Sequence, residues 1–134
     1  MEPAIRSGTV LVVEDDRLVA EVLSAIVEEF TSRRAVICED GANALEKVRE
    51  IKPDAVLLDI VLPGQDGLTI YDRLKSESDT AGIPVIFLTC QDRYRHELRS
   101  RQARWYLGKP FELDDLLAAL DQAFSTTHRS ALAS

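Results

Sequence analysis

Apolar residues in this chain form short continuous runs that alternate with longer segments of helical spacing. A short apolar run bounded by turn residues is typical of a strand buried on both faces, and apolar residues three and four positions apart indicate a helix packed by one side. The runs predict five strands. They lie near Thr9–Val13, Ala35–Cys38, Val56–Leu58, Val85–Leu88 and Trp105–Leu107.

The segments between these runs predict five helices. The apolar positions of the first three are Leu18, Val19, Val22, Leu23, Ile26, Val27 and Phe30, then Ala44, Leu45 and Val48, then Leu68, Ile70, Tyr71 and Leu74 after Gly67. A polar, arginine-rich helix is predicted from about Asp92 to Ala103. The last helix is predicted from about Glu112 to Phe124, with Leu113, Leu116, Leu117 and Leu120 as its buried stripe.

This alternation of strands and helices predicts the α/β class, with a five-stranded parallel sheet covered by helices on both faces. Right-handed crossovers favour a doubly wound, flavodoxin-like arrangement. No internal repeat interrupts the pattern. We expect a flexible arm over residues 1–8, one domain over residues 9–124 and a frayed tail over residues 125–134.

Composition narrows the class of protein. The chain has 134 residues and a net charge of −7, which argues against general binding to nucleic acid. No apolar run approaches the length that spans a membrane, and the first residues lack the features of a secretory signal. Cys38 and Cys90 have neither disulfide-framework nor metal-ligand spacing, so we predict reduced thiols and a cytoplasmic location.

Polar residues with complementary chemistry follow four of the predicted strands. Glu14 and Asp15 follow the first strand, Asp59 ends the third, Thr89 ends the fourth, and Lys109 follows the fifth. Carboxyl ends of parallel strands meet at one edge of a sheet, where open α/β folds build their sites. We therefore expect three carboxylates, a hydroxyl and an ammonium to converge there.

Taken together and in this order, these residues resemble the receiver domain of bacterial two-component response regulators, of the chemotaxis-regulator type. Pro63-Gly64 and Gly67 after Asp59, and Pro110-Phe111 after Lys109, add to the resemblance. It covers about Val10 to Phe124 and implies the strand order 2-1-3-4-5, which periodicity alone does not fix.

The resemblance also implies a role for each site residue. Asp59 would accept a phosphoryl group, with Thr89 and Lys109 contacting its oxygens. Asp15, Asp59 and the Val61 carbonyl would ligate Mg²⁺ or Mn²⁺, and Glu14 would act mainly through a bound water. Tyr106, with Thr89, would form the conformational switch, and the Lys109–Pro110 bond would be cis.

Elementary chemistry is consistent with these roles. A carboxylate can attack phosphorus, adjacent carboxylates repel one another, and a hard cation with oxygen ligands relieves that repulsion. Each residue also has an ordinary structural explanation taken singly. Glu14, Asp15 and Asp16 could be helix N-terminal acids, and this is the interpretation we favour for Asp16. Thr89 and Tyr106 could be strand residues, and Lys109 a strand-end cation.

The chain departs from the family pattern near the predicted fourth helix and fifth strand. Gln102-Ala103 stands where Gly-Ala is common, and Arg104-Trp105 replaces acidic residues that often precede the switch aromatic. The usual dimer through matched charges on this face is therefore in doubt. Two interpretations of the arginine-rich stretch stay open, a solvated helix face and a surface for a partner or a homodimer. Its arginines are Arg93, Arg95, Arg99, Arg101 and Arg104.

The sequence thus predicts a single-domain response regulator receiver that is phosphorylated on Asp59, in a Mg²⁺-dependent reaction, by a histidine kinase or a histidine phosphotransfer protein and that signals by a conformational switch. We expect no DNA-binding domain in this chain, no membrane span, no multiple-turnover enzyme activity, and a downstream protein target whose identity the sequence does not give. Alternatives are a phosphorylation-independent interaction module and an aspartyl-nucleophile phosphatase. The phosphatase needs a second Asp two residues after the nucleophile, where Val61 stands. Because Val61 has no polar group to orient water, we also expect slow dephosphorylation, with Gln91 as a partial substitute.

Overall fold

Five parallel strands form one sheet in the order β2-β1-β3-β4-β5, as predicted. The computed structural model describes residues 8–89 and 92–133, so Cys90, Gln91 and nearly all of the predicted N-terminal arm lie outside the described residues. Strand bounds agree with the apolar runs to within about one residue. The strands are β1 Thr9–Val13, β2 Arg34–Cys38, β3 Ala55–Asp59, β4 Val85–Thr89 and β5 Trp105–Gly108.

Five helices connect and cover the strands, as predicted. They are α1 Arg17–Phe30, α2 Ala44–Ile51, α3 Gly67–Ser76, α4 Arg95–Ser100 and α5 Leu113–Ala133, with a single 3₁₀ turn at Asp92–Tyr94 before α4. Asp16 caps α1, because its carboxylate accepts the backbone N–H groups of Leu18 and Val19. The interpretation of Asp16 as a helix N-terminal acid is therefore confirmed.

The hydrophobic core has two layers, because successive strand side chains point to opposite faces of the sheet. Leu58 and Phe87 pack with α2, α3 and Leu98 on one face. Leu57 and Leu88 pack with α1 and α5 on the other face. Cys38 is a buried free thiol at the end of β2, and burial raises its pKa above the ordinary value. Among the described residues, no helix is both long enough and apolar enough to cross a bilayer.

The predicted extent of α4 was wrong. The α-helix covers Arg95–Ser100 rather than residues 92–103, because Gln102 has a positive φ of 58° and ends it. The Ala103 N–H donates to the Leu98 carbonyl at 3.0 Å, and the Gln102 N–H donates to the Arg99 carbonyl at 2.9 Å. This pair of bonds is the Schellman C-cap, in which Gly usually takes the left-handed position.

The last helix also differs from the prediction at both its end and its buried face. It continues to Ala133 instead of ending near Phe124, since residues 125–133 contain neither Gly nor Pro to stop it. Leu116 and Leu120 are fully buried, as expected, but Leu113 in the first turn is 39% exposed. The predicted buried stripe therefore begins one turn too early.

Candidate functional site

The order of the strands brings the polar strand ends together. β3 lies between β1 and β4, and Val13 pairs with Leu58 in the register of β1 and β3. Glu14 and Asp59, each one residue further along, are therefore neighbours at the carboxyl edge of the sheet. Lys109 reaches the same point from the end of β5, where its N–H donates to the Thr89 carbonyl at 2.7 Å.

Glu14, Asp15 and Asp59 form a compact carboxylate cluster. Each contributes an oxygen, and these three oxygens lie within 4.8 Å of one another. Glu14 is 1% exposed and Asp59 is 8% exposed, whereas Asp15 faces solvent. Buried carboxylates need a cation or hydrogen-bond donors nearby, since removing their charge from water is costly. The cluster is therefore suited to holding a cation.

Lys109 supplies part of the required positive charge. Its Nζ donates to Glu14 Oε1 at 2.6 Å and to Asp59 Oδ2 at 3.1 Å. Burial alone would lower the pKa of Lys109, but its hydrogen bond to Glu14 and the charge of Asp59 outweigh burial and raise that pKa. Lys109 therefore stays protonated at neutral pH. The Lys109–Pro110 bond is cis, as the resemblance implied.

Backbone geometry also shapes the surroundings of Asp59. The Val61 N–H donates to Asp59 Oδ1 at 3.2 Å, so both carboxylate oxygens have a donor. Gly67 allows α3 to begin directly against the strand end, because a Cβ there would lie 2.3 Å from the Asp59 carbonyl oxygen. Gly64 has a φ of +86°, which side-chain-bearing residues rarely adopt. Gly64 thus shapes the loop after Asp59, and Gly67 permits the close approach of α3.

Thr89 and Tyr106 line a cavity next to this cluster. Thr89 is buried at the end of β4, and Tyr106 is half-buried in the middle of β5. Both line the same cavity as Lys109, and Tyr106 also packs against the buried cluster around Phe87. The structure thus places the predicted switch residues beside the lysine. Their switching role remains a prediction.

The contacts of Glu14 go beyond the sequence prediction. In addition to the ion pair with Lys109, Glu14 Oε2 accepts the Asp16 N–H at 3.1 Å. Sequence reasoning assigned Glu14 to a water-mediated metal contact and missed this direct pairing with Lys109. The sequence does place both residues at the ends of predicted strands. Predicting that they form an ion pair would also have required the strand order.

The donor set fits a hard divalent cation. Mg²⁺ and Mn²⁺ favour carboxylate, carbonyl and water oxygens, and Asp15 and Asp59 offer oxygens of that type at the required proximity. No His or Cys joins the cluster among the described residues, so its chemistry differs from that of a zinc site. The residues present thus suit the metal that the resemblance implied.

Fold and site together define a class of protein. The family model described as the response regulator receiver domain matches residues 10–121 of this chain. The chain belongs to the response regulator receiver domain family.

Several known proteins and solved structures are similar to it. Response regulator MprA from Mycobacterium sp. (strain KMS) is 36% identical over 113 residues, covering 83% of this chain. A putative response regulator from Chloroflexus aurantiacus J-10-fl is 30% identical, with a TM-score of 0.78 over 88% of this chain and 98% of that structure. The receiver domain of a signal transduction histidine kinase from Syntrophus aciditrophicus is 30% identical, with a TM-score of 0.80 over 89% of this chain and 91% of that structure.

The chain covers 48% of the length of this MprA protein, so it spans about half of the curated relatives that it matches. The similarity therefore concerns the receiver portion of those regulators.

Proposed function

We propose that this domain is a phosphorylation-controlled switch in which Asp59 accepts a phosphoryl group. One observation carries the proposal. The Asp59 carboxylate lies at the edge of the sheet, bonded to Lys109 and within a cluster of two further carboxylates that suits a divalent cation. Phosphoryl transfer depends mainly on positioning and on neutralising charge, and this arrangement supplies both.

The covalent step uses the Asp59 carboxylate as nucleophile. With acetyl phosphate as donor, a bond forms between a carboxylate oxygen of Asp59 and phosphorus. The bond between phosphorus and the acetate oxygen breaks, and acetate leaves with that electron pair. No proton transfer is needed, because one carboxylate replaces another at phosphorus. With a phosphohistidine donor the phosphorus–nitrogen bond breaks instead, the ring nitrogen keeps that electron pair, and one proton from solvent gives neutral imidazole as the leaving group.

Three groups prepare this step. Asp15 and Asp59, with the Val61 carbonyl, would hold Mg²⁺ or Mn²⁺, which when bound supplies positive charge to the phosphoryl oxygens. Lys109 would exchange its bond to Asp59 for a bond to a phosphoryl oxygen while keeping its bond to Glu14. The Thr89 hydroxyl would donate to another oxygen, and the inward movement of Tyr106 would transmit the change.

A histidine kinase or histidine phosphotransfer protein is the proposed donor, and an apolar surface beside the site supports a protein donor. Leu18 and Val22 on α1 are 72% and 53% exposed. They border a groove of about 640 Å³ that is also lined by Lys109, Pro110 and Phe111. A donor that reaches Asp59 would lie over this groove, and exposed apolar groups next to a site mark a surface for protein contact. We call the pair Leu18 and Val22 the α1 patch.

Acetyl phosphate with Mg²⁺ separates this proposal from its alternatives. The switch predicts a single base-labile phosphoryl group per chain, without continued turnover. Sustained release of phosphate would instead favour a phosphatase, for which Val61 offers no general acid. A protein that takes up no phosphoryl group under these conditions would favour an interaction module.

A further inference from the structure

A cavity of about 400 Å³ opens beside the candidate phosphorylation site, between β4, β5 and the start of α4. Thr89 and Lys109, two residues of the proposed site, form one part of its wall. Arg95, the first residue of α4, forms another part. Two cationic side chains, Lys109 and Arg95, therefore line the cavity. Arg95 belongs to α4, a helix that has no role in the proposed mechanism.

Arg95 is held weakly in its present position. Its Nη2 lies 3.7 Å from Asp92 Oδ1, and the two side chains are 55% and 99% exposed. Exposed single-contact pairs of this kind contribute little to stability, so Arg95 can change partners at little cost. Arg101 contrasts with it, because its guanidinium makes two hydrogen bonds to the Asp72 carboxylate at 2.8 and 3.0 Å.

Phosphorylation of Asp59 would add negative charge next to this cavity, because Asp59 accepts a hydrogen bond at 3.1 Å from Lys109, which lines it. A carboxylate carries one negative charge, whereas a phosphoryl group carries about −1.5 to −2 at neutral pH together with three acceptor oxygens. Lys109 is a compact cation whose Nζ is already paired with Glu14 Oε1 at 2.6 Å. A guanidinium presents paired N–H donors that match two oxygens of one phosphoryl group. The phosphorylated site would thus gain negative charge that Arg95 is placed to neutralise.

We propose that Arg95 leaves Asp92 and pairs with the phosphoryl group on Asp59. The proposal rests on the proposed function and deepens it, because it assigns a phosphoryl-binding role to α4. Arg95 begins α4 and follows the 3₁₀ turn Asp92–Tyr94 directly, so its change of partner would draw this end of the helix toward the cavity. Phosphorylation would then reposition α4 through a charge contact, separately from any movement of Tyr106.

Four variants test this role, each labelled with acetyl phosphate at saturating Mg²⁺. Arg95→Gln should slow labelling by about fivefold to tenfold, as expected for the loss of a partly exposed charge-assisted hydrogen bond. Arg95→Lys should restore part of the rate, since it keeps the charge without the paired donors. Asp92→Asn should raise the rate by releasing Arg95. Arg99→Gln is the matched control, because Arg99 is an exposed arginine on the same helix that does not line the cavity.

A second readout excludes a merely structural effect. The phosphorus NMR signal of the aspartyl phosphate, titrated with pH, should show a higher pKa for the phosphoryl group in Arg95→Gln than in wild type, because a nearby cation favours the dianion. Circular dichroism would confirm that the variants fold. Unchanged labelling and titration in Arg95→Gln, or an equal loss of rate in Arg99→Gln, would overturn the proposal. A wild-type protein that takes no label on Asp59 would instead overturn the proposed function, and the role of Arg95 with it.

Discussion

At the scale of single residues, the site depends on how Glu14 and Asp15 divide their contacts. Glu14 is almost fully buried and uses its two oxygens for Lys109 and for the Asp16 N–H. Asp15 is exposed and lies within reach of Asp59. Two adjacent acids therefore differ in their surroundings, because Glu14 is oriented by the protein whereas Asp15 is free to face the proposed cation.

This division predicts unequal effects on metal binding. Asp15→Ala should weaken Mg²⁺ or Mn²⁺ binding by roughly 100-fold or more, since it removes a proposed direct ligand. Glu14→Ala should weaken metal binding about 10-fold, in the range seen for residues that support a metal site without ligating the metal directly. Isothermal titration calorimetry measures both, with Asp16→Asn as a control that keeps the cap of α1. Equal losses in the two alanine variants would mean that the roles are misassigned.

Residue 61 provides a second prediction. The Val61 side chain is 49% exposed beside Asp59 and has no polar group to orient an attacking water, so we expect slow loss of the phosphoryl group. Val61→Asn should accelerate that loss by adding a hydrogen-bonding amide at the same position, whereas Val61→Ala should not. The decay of phosphoprotein after removal of the donor gives both rates. A Val61→Asn rate at or below the wild-type rate would contradict the explanation.

At the scale of elements, the strands could be predicted from sequence more closely than the helix ends. A buried parallel strand is a continuous apolar run, as in Val85–Leu88, so its bounds follow from residue type. The end of α4 depends on a left-handed Gln102, a conformation that the residue type does not indicate. Asp59, Lys109 and their neighbours could be identified from strand ends, but their pairing required the strand order, which came partly from a family resemblance.

The exposed face of α1 gives a prediction at this scale. The test needs a histidine kinase fragment that labels the wild-type protein. Replacing both residues of the α1 patch, Leu18 and Val22, with Ala should lower the rate of phosphotransfer from that fragment about tenfold, because apolar contact area is lost. Labelling by acetyl phosphate should not change, since that donor needs no protein contact. Phe30→Ala is the matched control, being 54% exposed at the other end of the same helix. Equal kinase rates in the patch variant and wild type would place the docking surface elsewhere.

At the scale of the whole molecule, the fold positions its chemistry by topology rather than by sequence proximity. Lys109 lies 95 positions after Glu14 and 50 positions after Asp59 in the sequence. They meet because β1, β3 and β5 are parallel members of one sheet whose carboxyl ends share an edge. The layers of α1 with α5 and of α2 with α3 bury both faces of that sheet and hold its edge in place.

The central claim is that Asp59 alone accepts the phosphoryl group, and intact-protein mass spectrometry after incubation with acetyl phosphate and Mg²⁺ tests it most directly. The matched control is Asp16→Asn, which alters a neighbouring exposed acid at the same edge of the sheet. Wild type and this control should each gain a single base-labile phosphoryl group. Asp59→Asn should gain none, because the amide is not a comparable nucleophile. Undiminished phosphorylation of Asp59→Asn would contradict the account.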